Sequence, residues 1–232
     1  MAYHLIFLFY IFFFIISTIG FGLIFSNFIQ KDFSHLNLGY QGLIGFFLLS
    51  IISMFTSYFV PHNFFHNSII HLIGITSFLF FFNKFKWSHE LKFLSVLTLT
   101  LLIGVYVFKN HDDFPYYHLT YALNLSENSF IIGTGIFSHG FRTFSSLFYY
   151  HSILYMPEIK FYLFHLGPFL ILLFFNFIIL KKINDNFNEN KINFSYYFSL
   201  ISLIFINVAF YRIGEHGTDR SAQILFFLAV IL

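Results

Sequence analysis

The chain has 232 residues, 58% of them hydrophobic and only 9% charged, with a mean hydropathy of +0.76. A soluble domain carries about 25% charged residues, so this balance excludes an ordinary soluble protein and fits a chain that crosses a bilayer several times. A net charge of +2 gives no surface for nucleic acid, and the absence of cysteine excludes disulfides, thiolate metal sites and Cys nucleophiles, leaving the redox compartment open.

The first thirty residues lack the positive n-region and small-residue cleavage site of a signal peptide, and their apolar run is longer than a signal core. They read as a retained first span, at about 3–29. A helical span needs about 20 predominantly apolar residues, and five further stretches meet or approach that length: 42–60, 66–83, 91–108, 161–180 and 194–211. A seventh apolar run, SAQILFFLAVIL, begins at Ser221 and reaches Leu232 without a polar flank, which reads as a truncated span in the N-terminal part of a longer chain. The expected fold is therefore all-α, a polytopic transmembrane bundle of about seven spans forming a single domain over residues 1–232. Phe accounts for 41 residues, and Ile, Asn, Lys and Tyr are also abundant. All have AT-rich codons, so a biased genome accounts for the Phe stripes and no binding role is read into them.

Lys and Arg between the spans set the expected orientation. Lys84, Lys86 and Lys92 fall in one short connection, and Lys181, Lys182 and Lys191 in another; both should face the cytoplasm. Strict alternation then puts residues 109–160 and 212–220 together on the external side, with seven basic residues inside and five outside.

The 109–160 segment stands apart because it is long where the other connections are short, and long loops tend to carry function. It opens with HDDFPYYHL, residues 111–119. An Asp costs about 2.5–3.5 kcal/mol at mid-bilayer on insertion scales, so Asp112 and Asp113 belong at the interface or in water. Adjacent carboxylates repel, which raises the pKa of one and suits it to act as a general base. Tyr116 and Tyr117 are equally explained as interfacial belt residues, while His118 lies within reach of the acidic pair. Further on, IIGTGIFSHGFRTFSS brings His139 and the permanently charged fork of Arg142, which pairs bidentately with phosphate or simply with Glu127 or Asp113. Phe144, Leu147, Phe148, His151 and Leu154 then follow at helical spacing, predicting a helix over 143–156 that either lies in the membrane interface or packs against protein. The last external loop, YRIGEHGTDRSAQ, adds Arg212, Glu215, His216, Asp219 and Arg220 around Gly214 and Gly217.

Twelve histidines invite a metal reading, and His62 and His66 show the i, i+4 spacing of helical ligand pairs. No tight zinc motif exists, however. If any cofactor is needed, the external carboxylates suit weakly bound Mg or Mn better.

DDFPYYHL followed by GTGIFSHGFRTFSSLF resembles a family of uncharacterised bacterial membrane proteins that carry an acidic residue before Tyr-His-Leu, a His-Gly segment and a Ser-rich amphipathic stretch. The match covers roughly residues 111 to 150. More loosely, a span leading into an external acidic pair is similar to the GT-C superfamily of membrane glycosyltransferases, although there the acidic loop usually follows the first span and here three spans precede the fourth. That resemblance implies a multi-pass enzyme of the bacterial inner (cytoplasmic) membrane taking a sugar from a polyprenyl-phosphate carrier, in cell-envelope glycan or glycolipid synthesis. Asp112 or Asp113 would be the catalytic base. Tyr117, His118, His139, Arg142, Glu215, Asp219 and Arg220 would bind substrate. The partners would be membrane lipids and the lipid-linked sugar, with no nucleic acid and the oligomeric state left open. The alternative is a non-catalytic transporter or flippase of lipid-linked polysaccharide. Such a protein would line a path with charges inside its spans, whereas here the charges sit between them.

Overall fold

The computed structural model describes residues 2–29, 36–82, 88–106, 113–209 and 218–231, and these are helical with no strand. In chain order the α-helices are α1 Ala2–Ile24, α2 Leu38–Ser57, α3 Phe64–Phe82, α4 Ser88–Tyr106, α5 Leu119–Glu127, α6 Ser146–Ile153, α7 Leu166–Asn188, α8 Phe194–Ala209 and α9 Thr218–Ile231. Helix α1 runs on into a π-turn at Phe25–Ile29. In lipid each backbone group must be satisfied within its own segment, which is why the apolar stretches are helices.

Five helical segments among the described residues are long and apolar enough to cross a membrane: 2–28, 38–57, 64–81, 88–106 and 160–188. The chain thus has the build of a multi-pass membrane protein. Among the described residues five segments, against about seven expected, reach that length; α8 has 16 residues and α9 has 14, both short of the usual span.

The bundle has two distinct ends. At the first, Phe7 of α1 meets Tyr106 of α4 edge-on, with ring centroids 6.0 Å apart. There too, the His62 N–H donates to the Leu125 carbonyl at 2.8 Å, and the Phe130 N–H to that of Ser57 at 2.7 Å. At the opposite end the Glu90 carboxylate accepts from the Leu38 N–H at 2.9 Å and pairs with Lys181. Lys182 donates to the Ile231 carbonyl there at 2.5 Å. The 113–160 segment and the start of α9 therefore share one end, and Lys92, Lys181 and Lys191 mark the other, as the basic residues require. Lys84 and Lys86 lie outside the described residues.

Lipid offers no hydrophobic drive between helices, so close packing must hold them together. Helices α1, α2 and α3 meet through glycines: a Cβ at Gly45 would collide with the Thr18 carbonyl, and one at Gly20 with the Gly74 carbonyl. Helix α7 is the hub, its residues Leu166 to Ile179 all buried. Asn176 and Asn207 add a polar link from α7 to α8, Nδ2 of Asn207 donating to Oδ1 of Asn176 at 2.6 Å.

The helix expected at 143–156 forms as α6, capped by Ser145, whose hydroxyl accepts from the Leu147 N–H at 3.3 Å. It is not an interfacial helix. All residues from Leu147 to Ile153 are buried, so the reading in which it packs against protein holds. Tyr150 stacks on Phe46 with centroids 3.9 Å apart, and Phe46 lies roughly 17 Å along α2 from Ser57 at 1.5 Å per residue. Helix α6 therefore descends into the bundle.

A helix ending inside the bundle leaves carbonyls to be satisfied, and α3 provides the donors. Asn67 Nδ2 donates to the Ser152 and Tyr155 carbonyls at 3.0 Å and to that of His62 at 2.8 Å. His71 Nε2 donates to the Ile153 carbonyl at 3.0 Å, which leaves Nδ1 to accept from the Ser17 hydroxyl at 2.9 Å. Tyr150 and Thr18 close the set, their hydroxyls 3.1 Å apart.

Candidate functional site

Of the two candidate base residues, Asp112 lies outside the described residues and Asp113 immediately precedes a π-helical turn, Phe114–His118, that leads into α5. Pro115 suits the first turn, where an N–H would be unbonded in any case. One helical turn on from Asp113, the Tyr117 hydroxyl faces its carboxylate at 3.5 Å, a long contact. The Tyr117 phenol is raised above its ordinary value, first by burial, then by the negative charges of Asp113 and Asp219, and by the hydrogen bond to Asp113. The charge of Asp219 acting on Tyr117 puts the first turn of α9 at the same end of the bundle, although a hundred residues separate them in sequence.

The His139–Arg142 turn belongs to the same group. Gly140 lies flat against Tyr117, so that a Cβ there would collide with the Tyr117 side chain. Arg142 is exposed and donates from Nε to the Gly135 carbonyl at 2.9 Å, a bond that engages neither terminal nitrogen of its fork. Gly133, at φ +90°, makes the preceding bend in a conformation that other residues rarely adopt. His139 and Asp219 are exposed, Arg220 is partly buried, and Glu127 is solvated at the end of α5. Glu215 and His216 fall outside the described residues. The structure thus gathers Asp113, Tyr117, Asp219 and the Gly140 turn at one end of the bundle. Around them stand exposed apolar side chains, Ile132, Ile136 and Phe137, each more than 80% accessible.

His118 departs from its expected place. It is buried, with its ring across that of Tyr117 (centroids 4.4 Å) and near Phe148 of α6 (5.1 Å). There it joins two histidines that the sequence did not single out, His151 and His165. His151 is lowered to about 3 by burial and then by the charges of His118 and His165, so it is neutral at ordinary pH. Gly167 makes room for it, since a Cβ there would collide with His151 Nε2. His165 stacks on Phe114 with centroids 6.2 Å apart, which joins this cluster to the Asp113 turn.

Among the described residues no group of three or more His, Asp or Glu is arranged to hold a metal ion. His62 and His66, which share the spacing of helical ligand pairs, stack on each other with centroids 4.7 Å apart and planes at 7°. Both His62 nitrogens are engaged. Nδ1 lies 2.6 Å from the Ser152 hydroxyl and Nε2 lies 3.0 Å from that of Thr56. Burial, and then His66, lower His62 to about 3, against a raising contribution from the Ser53 backbone.

The fold and this site define a multi-pass helical membrane protein with a polar cluster at one end of its bundle. Comparison with protein-family models, curated proteins and solved structures returns no match.

Proposed function

We propose that the chain is a membrane transferase that moves a sugar from a polyprenyl-phosphate carrier to an acceptor hydroxyl at the external face of the cytoplasmic membrane. The observation that carries the reading is the Asp113–Tyr117 contact beside the Gly140 turn, with exposed apolar side chains at the same bundle end. A carboxylate beside a lipid-borne donor has to sit at the depth of the carrier phosphate. Asp112 or Asp113 takes the proton of the acceptor hydroxyl as its oxygen bonds to the sugar. The bond from sugar to carrier phosphate breaks, and the electron pair leaves with the phosphate. Arg142, with its terminal nitrogens turned to neither Gly135 nor another described residue, and Arg220 neutralise that charge. His139 is the exposed histidine suited to orient the acceptor; His118 supports the turn from within. Glu215 and Asp219 complete the acceptor side. No step depends on Mg or Mn. Against the flippase reading, the polar side chains inside the bundle (Asn67, His71, Tyr150) bond to backbone carbonyls and to the Ser17 and Thr18 hydroxyls, which makes them structural.

The test is transfer from a lipid-linked sugar by Asp112→Asn, Asp113→Asn and Glu127→Gln. At least one Asn variant should lose about 10²–10⁴ in rate, while Glu127→Gln retains it. Full transfer by both well-expressed Asn variants refutes the proposal.

A further inference from the structure

A groove of about 510 Å³ opens at the Asp113 end between α1, α4 and the segment before α7. Phe7, Val105 and Ile159 wall it, and Tyr3, Tyr106 and Tyr162, each more than half exposed, ring it. Tyrosines in that arrangement mark headgroup depth in a bilayer, where a ring is half in hydrocarbon and its hydroxyl is wet. Among the described residues lining the groove, Glu158 alone carries a fixed charge.

The backbone that presents Glu158 is strained. The Ile159 N–H donates to the Pro157 carbonyl at 2.7 Å, closing a γ-turn centred on Glu158 at φ +66°, the rare hand for a residue with a side chain. Lys160 follows at φ +53°, with its N–H bonded to the Met156 carbonyl at 2.8 Å. Strain of this kind costs about 1–3 kcal/mol per residue and persists where a function or the surrounding structure requires it. Here it holds an acid and a base two residues apart at headgroup depth, and among the described residues neither makes an ion pair.

We propose that this groove binds a phospholipid with a primary-amine headgroup. One acyl chain lies along Phe7, Val105 and Ile159. The lipid ammonium meets the Glu158 carboxylate, the one fixed charge among the described residues lining the groove. A choline headgroup has no N–H to donate, and a glycerol headgroup has no cation, so both fit less well. The site does not depend on the transfer reaction proposed above.

Purified protein is exchanged into detergent with equal amounts of phosphatidylethanolamine, phosphatidylcholine and phosphatidylglycerol, and the retained lipid is counted by native mass spectrometry. The ethanolamine lipid should be retained about tenfold over the other two, the ratio expected from one charge-assisted hydrogen bond at a half-exposed site. Glu158→Gln should abolish the preference, and Val105→Trp, which fills the groove, should reduce retention of all three. Equal retention of the three lipids by the wild-type protein overturns the proposal without reliance on any variant. So does a preference for the glycerol lipid, or an ethanolamine preference that survives in Glu158→Gln.

Discussion

Asn67→Leu replaces a buried amide with an apolar side chain of similar size, so its effect reports hydrogen bonding more than packing. Asn67 shares two N–H groups among three carbonyls, those of His62, Ser152 and Tyr155. Orphaning a buried polar group costs about 1–3 kcal/mol, whereas polar links between helices in membranes average about 0.6 and reach about 1.7 kcal/mol. Two lost bonds should therefore cost about 2–3 kcal/mol. At about 2–4 °C per kcal/mol for a chain of this length, the melting temperature should fall by about 8 °C, followed by circular dichroism at 222 nm in detergent. The damage should concentrate at α6, because the Ile153 carbonyl keeps its bond from His71 while those of Ser152 and Tyr155 lose theirs. Proteolysis should accordingly cut the 143–160 segment faster in the variant. A melting temperature within a degree of wild type would show that α6 is held by packing alone.

Acid should destabilise the fold through two histidines outside the spans. His62, facing His66, and His151, facing His118 and His165, both titrate near 3 when folded and near 6.5 when unfolded. Their contribution is complete above about pH 6.5 and is lost as pH falls from there towards 3. Each unit between is worth about 1.36 kcal/mol per group, so pH 5 should remove about 4 kcal/mol and lower the melting temperature by about 10 °C, and a flat profile from pH 7.5 to 5 would contradict the burial of both rings. Gly140→Ala should push the 139–142 turn off Tyr117, reducing sugar transfer at least tenfold while shifting the melting temperature by only a few degrees; unchanged transfer would separate that turn from the site.

The long spans were legible because a bilayer imposes its length on the sequence directly. The co-location of the 113–160 segment with the start of α9 was legible from lysines alone, since alternation fixes which loops share an end. What the sequence did not disclose is the interior course of α6. Its apolar spacing at Phe144, Leu147, Phe148, His151 and Leu154 is the same whether the far side meets lipid or protein, and the deciding residues, Asn67 and His71, lie on another helix. A signal for them existed: two polar side chains four residues apart inside an apolar run point to a partner, because neither is tolerated unbonded in lipid. His62 and His66 show that ligand-like spacing can also come from two rings that stack.

The same physics ties the depth of the bundle to its lip. Phe148 of α6 lies behind both Tyr117 and His118, with centroids 6.0 and 5.1 Å away, so the position of the Asp113 turn depends on where α6 stops. That stopping point is set by bonds from Asn67 and His71 on α3. Hydrophobic attraction could not set it, because within a bilayer an apolar helix gains little by leaving lipid for protein. Directional hydrogen bonds can, since each carbonyl at the end of α6 has a donor only at one depth. The buried polar residues therefore act on the candidate site without touching it, by fixing the height at which a carboxylate meets the membrane surface.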